Sequence, residues 1–217
     1  MSVQAAKLLS VNPLVAVYDD FFDKDLAEHI LSTAGSAFQR SRVVDNKGGS
    51  KEEDTRTNEQ VKVDQWADPR ITELVTRISA LVRLPPENCE PCQLLRYRGD
   101  QKFDPHSDAF YRTAGGIGFL AQGGQRLFTV LCYLNDVASG GETEFPDLKI
   151  KIKPKCGRVL VFGNTLLGTS EPHPHSLHAG WSVDEGDKFT LAMWWRQLAF
   201  HIQREYPAER GDTRVID

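Results

Sequence analysis

Apolar residues in the first half of the chain recur twice at helical spacing. Leu26, Ala27, Ile30 and Leu31 share one face of a helix that Asp23 is placed to cap and Gly35 to end. A second, more strongly patterned helix follows Asp68-Pro69, an N-cap residue and a first-turn proline. It carries Ile71, Leu74, Val75, Ile78, Leu81 and Val82 at helical spacing, and Pro85-Pro86 stops it. Between the two, the stretch from Asn46 to Asn58 is rich in Lys, Glu, Gly and Ser and reads as an exposed, mobile loop.

From Cys92 onward the pattern changes to short β-type runs: Cys92 to Arg98, Leu127 to Leu134, Lys149 to Lys153, Arg158 to Phe162 and Phe189 to Trp195. Lys149 to Lys153 alternates strictly, as a strand with one wet face does. Turns such as Ser139-Gly140-Gly141 and Lys155-Cys156-Gly157 close these runs. They predict an antiparallel sandwich or jelly roll with the helices packed on one sheet, an α+β chain that is mainly β. The expected organisation is one domain over 1–217: helical support over about 1–90, a jelly-roll core over about 91–199 and a polar tail over 200–217. No internal repeat is present, and Arg210-Gly211-Asp212 in the tail is read as coincidence.

Composition narrows this picture. A chain of 217 residues with 40% hydrophobic residues holds enough apolar material for one sizeable core. Its 26 basic and 30 acidic residues are interspersed and sum to a formal net charge of -4, which gives no reason to expect nucleic acid or a membrane as partner. The opening segment lacks the continuous apolar run of a secretory signal, and no stretch is long enough to span a bilayer. Cys89, Cys92, Cys132 and Cys156 are therefore expected to be free thiols in the cytoplasm. Cys89 and Cys92 form a C-x-x-C, but no second pair completes a structural zinc site.

The candidate chemistry begins at His106-Ser107-Asp108. In an extended segment residues i and i+2 project to the same face, so one imidazole and one carboxylate converge on a single ion. Two histidines and one carboxylate suit iron(II) and leave three coordination positions open. Taken alone, His-x-Asp is a common surface pair; it needs a second, distant histidine. His178 offers one, and Lys188 follows it across a turn at Glu185-Gly186-Asp187. A buried lysine without a protein partner calls for an anion. His173 and His175 compete with His178 for the third position, although the prolines beside them suggest a loop.

Tyr97, the His106-Ser107-Asp108 triplet, Tyr133-Leu134-Asn135-Asp136-Val137, Gly140-Gly141-Glu142-Thr143-Glu144-Phe145-Pro146, and His178-Ala179-Gly180 through Lys188 to Trp194 resemble the catalytic domains of prolyl 4-hydroxylases in order and approximate spacing. That resemblance implies a double-stranded β-helix holding iron(II) on His106, Asp108 and His178. It implies that Tyr97 and Thr143 hydrogen-bond the 2-oxoglutarate carboxylate that Lys188 neutralises. Arg126 and Trp194 fall where the family lines its peptide cleft, and Arg56-Thr57 resembles its mobile lid. Trp194 and Trp195 adjoin, so one is expected to face the core and the other outward, and the family pattern assigns Trp194 inward.

The implied reaction consumes O2 and 2-oxoglutarate, with L-ascorbate as a further cofactor, and hydroxylates a peptidyl proline at C4 with release of succinate and CO2. Two other readings stand beside it. One is a non-catalytic jelly roll that keeps a metal or ligand site; the other is a related dioxygenase with a non-proline target. Ala109, where the family often has an aromatic residue, and the glycine-rich segment Thr113 to Phe119, read as a flexible loop at the active-site mouth, bear on the substrate more than on the chemistry. The oligomeric state is left open.

Overall fold

The computed structural model describes residues 6–35, 37–44 and 49–202. Strands Lys7–Val11 (β1) and Leu14–Tyr18 (β2) precede helix Lys24–Ala34 (α1). Four short strands follow: Gln39–Arg40 (β3), Val43–Val44 (β4), Ser50–Lys51 (β5) and Glu59–Val63 (β6). Helix Pro69–Val82 (α2) leads to Cys92–Arg98 (β7), Phe103–His106 (β8), helix Ala114–Leu120 (α3) and Arg126–Tyr133 (β9). The chain continues through Thr143–Phe145 (β10), Ile150–Ile152 (β11), Val159–Gly163 (β12), His178–Gly180 (β13) and Asp187–Arg196 (β14).

These strands build an eight-stranded sheet in the order β1-β2-β12-β9-β14-β7-β6-β3 and a four-stranded sheet in the order β11-β10-β13-β8, and a β4-β5 pair stands apart. The strand pairings are antiparallel, and the fold is the jelly roll expected from the sequence.

Both helices start where their caps predict. The Asp23 carboxylate accepts from the Leu26 N–H at 2.8 Å, and that of Asp68 accepts from Arg70 and Ile71 at 2.9 and 3.2 Å. Their apolar faces, among them Ile30, Ile71, Leu74 and Ile78, pack on the outer face of the large sheet against Cys92, Leu94, Val130, Cys132, Leu191, Met193 and Trp195. Each such aliphatic side chain contributes roughly 1.5–3 kcal/mol by leaving water. Cys89 and Cys92 are free thiols in this layer.

The alternation of β14 then decides the site. Leu191, Met193 and Trp195 face the helices, which leaves Lys188, Thr190, Ala192 and Trp194 to face the interior between the sheets.

Four expectations need correction. The first half is not purely helical, because β1, β2, β3 and β6 all join the large sheet. Strands this short carry too few residues to display a period. The stretch after residue 48 is not a free loop: Arg56 is buried and bridged to Glu53 and Phe103, and Thr57 exchanges hydrogen bonds with Lys102 at 2.8 Å in each direction. Residues 46–48 of that loop, and the tail from 203 with its Arg-Gly-Asp, lie outside the described residues. The glycine-rich segment forms α3, capped by Thr113, whose hydroxyl accepts from the Gly116 N–H. Finally, neither tryptophan points to solvent, because both faces of β14 are covered.

Candidate functional site

His106 ends β8 and His178 begins β13, and these strands pair with His178 directly opposite His106. Residues far apart in sequence thus become cross-strand neighbours, with ring centroids 4.2 Å apart. Asp108 lies just beyond β8. Its Oδ1 is 3.7 Å from His106 Nε2 and its Oδ2 is 3.5 Å from His178 Nε2. One ligand atom from each of the three residues lies within 4.8 Å of the others, a grouping that could hold a metal ion.

The surroundings prepare these groups to be ligands. His106 Nδ1–H donates to the Asp104 carbonyl at 2.8 Å and His178 Nδ1–H to the Ser176 carbonyl at 3.1 Å. With Nδ1 carrying the proton, each Nε2 lone pair faces the centre. Burial, reinforced by His178, pushes His106 well below the usual imidazole range and so keeps it neutral. Burial works to raise the Asp108 carboxyl, but His178, His106 and Arg126 outweigh it and hold Asp108 well below the usual carboxylate range. Two imidazoles and one carboxylate are the donor set that suits iron(II), so the residues present fit that metal.

Asp108 is itself held in place. The Thr129 hydroxyl donates to Asp108 Oδ2 at 2.6 Å and accepts from Asn164 Nδ2 at 2.8 Å. Because the amide N–H can only donate, the single hydroxyl proton of Thr129 is committed to the carboxylate. Phe103 stacks on His106, and the Arg56 guanidinium lies 4.6 Å from the Phe103 ring centre.

Two cavities meet at this triad. The inner one is walled by Tyr97, Thr143, His178, Lys188 and Thr190, and the outer one by Glu90, Phe110, Arg126 and other cleft residues. Arg56, Phe103, His106, Asp108 and Trp194 border both.

Lys188 is 2% exposed on the inner wall, and among the described residues no carboxylate pairs with it. Burial pushes its ammonium down to about 7, opposed weakly by Glu142. Its Nζ lies 4.5 Å from the centre of the Tyr97 ring. Burial raises the Tyr97 phenol to about 12, so it stays a donor. Gly180 makes room for that phenol, since a Cβ there would come within 2.9 Å of the Tyr97 hydroxyl oxygen. Tyr133 donates to the Thr143 hydroxyl at 2.7 Å, which leaves the Thr143 proton free for the cavity.

In the outer cavity Arg126 is clamped by Glu90 through two hydrogen bonds of 2.6 and 2.7 Å, and its guanidinium lies between Phe110 and Trp194. Glu90 also accepts from Arg196 at 2.8 Å.

The structure thus gathers His106, Asp108, His178, Lys188, Tyr97, Thr143, Arg126, Trp194 and Arg56 around one pair of cavities. It separates the competing histidines from the triad: His173 bonds Asn12 at 3.0 Å, and His175 faces Asp147 at 3.2 Å. Sequence reasoning missed Glu90, Thr129, Asn164 and Thr190. Thr129 carried a faint signal, as a polar residue within the otherwise apolar run Leu127 to Leu134. The others became visible only through their neighbours.

Comparison with known proteins agrees with this geometry. A family model described as the 2OG-Fe(II) oxygenase superfamily matches residues 92–196. Prolyl 4-hydroxylase 2 of Arabidopsis thaliana is 36% identical over 210 residues, spanning 87% of this chain and 69% of that protein. The viral collagen prolyl hydroxylase of Paramecium Bursaria Chlorella virus-1, in its 2-oxoglutarate complex, matches with a TM-score of 0.67 at 25% identity, over 85% of this chain and 96% of that one. A prolyl hydroxylase from Trichoplax adhaerens, in complex with a hypoxia inducible factor peptide fragment, shares the fold, with a TM-score of 0.62 at 17% identity over 84% of this chain and 83% of that one. The chain therefore belongs to the prolyl 4-hydroxylase family within the 2OG-Fe(II) oxygenase superfamily and is a 2-oxoglutarate-dependent dioxygenase.

Proposed function

We propose that this enzyme hydroxylates a peptidyl proline at C4, holding iron(II) on His106, Asp108 and His178 and 2-oxoglutarate in the inner cavity. The observation that carries the reading is the position of His106 and Asp108 at the junction of the two cavities, with Lys188 on the inner wall. Bound there, iron(II) supplies the coupled oxidation in which O2 converts 2-oxoglutarate to succinate and CO2 and one oxygen atom enters a substrate C–H bond.

The chain's own residues do the rest. Lys188 neutralises the distal carboxylate of 2-oxoglutarate, while Tyr97 and Thr143 donate hydrogen bonds to it. The apolar wall of Leu95, Leu131, Ala179 and Ala192 keeps water from the carbon chain. Thr129 fixes the Asp108 carboxylate so that the ligand set is preorganised.

The substrate peptide lies in the outer cavity against Trp194, Arg126 and Arg56. Arg126 acts there as a rigid wall, because Glu90 already satisfies its charge. An extended proline-rich strand suits such an aromatic-lined groove. The prolyl hydroxylase names of the relatives, and the peptide held by the Trichoplax enzyme, support a proline-containing peptide or protein as partner. L-Ascorbate serves as the reductant that keeps the metal ferrous. The four free thiols support a reducing compartment, the cytoplasm, as the place of action.

The test is mass spectrometry of proline-rich and collagen-like peptides after incubation with the purified protein, iron(II), L-ascorbate and 2-oxoglutarate, with succinate followed in parallel. The expected result is one added oxygen on proline, lost in His178→Ala. Succinate release with no oxidised peptide would refute these substrates, and no succinate from iron-loaded protein would refute the site assignment.

A further inference from the structure

Arg56 is buried where the two cavities meet, and among the described residues no carboxylate lies within ion-pair distance of it. Its hydrogen bonds go to neutral oxygens: Nε–H donates to Asn58 Oδ1 at 3.2 Å, Nη1 to the Arg42 carbonyl at 3.0 Å and Nη2 to Gln60 Oε1 at 3.4 Å. A guanidinium carries five N–H groups, so one remains on each Nη atom. Burial pulls its pKa below the ordinary value, with Tyr97 and Asp108 opposing, but an arginine side chain stays charged in a protein. A buried charge held only by neutral groups is costly and calls for a counter-charge.

The acids around the outer cavity are already committed. Glu53 is paired with Lys51, and Asp104 with Lys102 at 2.8 Å. Glu90 is shared by Arg126 and Arg196, at 2.6 and 2.8 Å, and Asp108 belongs to the metal triad. Arg42 and Lys62 border the same cavity, and among the described residues neither has a carboxylate partner. Gln60 and Lys62 project from one face of β6, and Arg56 bonds both Gln60 and the Arg42 backbone, so the three unpaired cations share one wall. Arg42 and Lys62 border the outer cavity and not the inner one, which turns this surplus charge towards the peptide rather than the co-substrate.

We propose that the outer cavity selects prolines in an acidic setting, with Arg56 pairing the carboxylate of an aspartate or glutamate one or two residues from the target proline. The inference rests on the reading of the outer cavity as the peptide cleft. The Phe103 ring centre is 3.3 Å from that of His106 and 4.6 Å from the Arg56 guanidinium carbon, so the arginine stands one ring away from a metal ligand. One or two extended residues, at roughly 3.3 Å each, cover such a separation. The two remaining N–H groups of Arg56 donate to the carboxylate, and Arg42 and Lys62 add an attraction that salt screens. A neutral neighbour leaves Arg56 without its counter-charge, and a basic one meets repulsion.

The experiment compares peptides that differ in a single residue, Glu, Gln or Lys, placed one or two positions from the proline on either side. Binding is read by fluorescence anisotropy with the cobalt(II)- and 2-oxoglutarate-loaded protein, and oxidation by mass spectrometry with the iron(II) enzyme. At the favoured position wild type is expected to bind and oxidise the Glu peptide about tenfold better than the Gln peptide, the low end for a hydrogen bond to a charged group, with the Lys peptide poorest. In Arg56→Gln the Glu and Gln peptides should become equal, and Arg56→Lys should retain part of the preference. Equal affinity for the Glu and Gln peptides at every position in wild type would overturn the proposal without recourse to a variant. A preference that survives Arg56→Gln would overturn the assignment to Arg56. Preferred binding of the Glu peptide with no oxidised proline in any peptide would support the acidic selection and overturn the proline reading instead.

Discussion

Replacing Lys188 by methionine should move two properties of this enzyme in opposite directions. In the ligand-free protein the ammonium is buried with no carboxylate partner among the described residues, and burial lowers it from an ordinary value of 10.5 to about 7. That lowering corresponds to a penalty on the order of 4–5 kcal/mol for charging the lysine in the folded state. The sign follows from proton counting. Above about pH 10.5 the lysine is neutral folded or unfolded and the penalty vanishes. As pH falls towards about 7 the unfolded chain takes up a proton that the folded chain does not, so stability is lost across that window.

Methionine keeps a flexible side chain of similar length and removes the penalty. Ligand-free Lys188→Met is expected to gain about 2–4 kcal/mol at neutral pH, after allowance for imperfect packing, and so to melt several degrees higher. The same substitution strips 2-oxoglutarate of its buried counter-charge, which should raise its KM by roughly 100-fold or more. Differential scanning calorimetry with and without 2-oxoglutarate, together with succinate-release kinetics, reads both effects. A variant that melts lower without ligand, or that keeps wild-type KM, would refute the account of Lys188 as a cation kept for an anion.

A related prediction is that 2-oxoglutarate binding takes up a proton. At about pH 8 a lysine of pKa about 7 is only a tenth charged, so binding should capture roughly 0.9 proton, read from titrations in buffers of differing ionisation enthalpy and absent in Lys188→Met. Thr129→Val should weaken cobalt(II) or iron(II) binding about 10–100-fold by releasing Asp108, with Thr129→Ser restoring it; unchanged metal affinity would deny Thr129 that role. Glu90→Gln should destabilise the fold by about 3–5 kcal/mol in chemical denaturation, because the buried Arg126 and Arg196 lose their shared counter-charge. His178→Ala should abolish succinate release while the far-ultraviolet circular dichroism spectrum stays that of the folded protein.

Much of this enzyme was legible in the chain alone. The caps at Asp23 and Asp68 and the helical spacing behind them located α1 and α2, because capping and amphipathicity are local properties. Strands β7, β9, β12 and β14 were visible as apolar or alternating runs long enough to display a period. His106, Asp108, His178 and Lys188 were picked out in the sequence because their order and approximate spacing resemble prolyl 4-hydroxylase motifs, and the structure brings the four to one cavity.

The three-residue strands β10 and β13, and most strands of the first half, were not legible, since a period of two needs more residues than they contain. The tertiary structure alone decided which neighbours each site residue would have. Register put His178 opposite His106, pairing with Glu90 turned Arg126 into a fixed wall, and Asn164 oriented the Thr129 proton towards Asp108. It also left the Thr190 hydroxyl without a partner among the described residues. Sequence determines which groups are present and which local elements form around them. Their hydrogen bonds and desolvation arise between distant segments, and these became fixed only when the two sheets closed on each other.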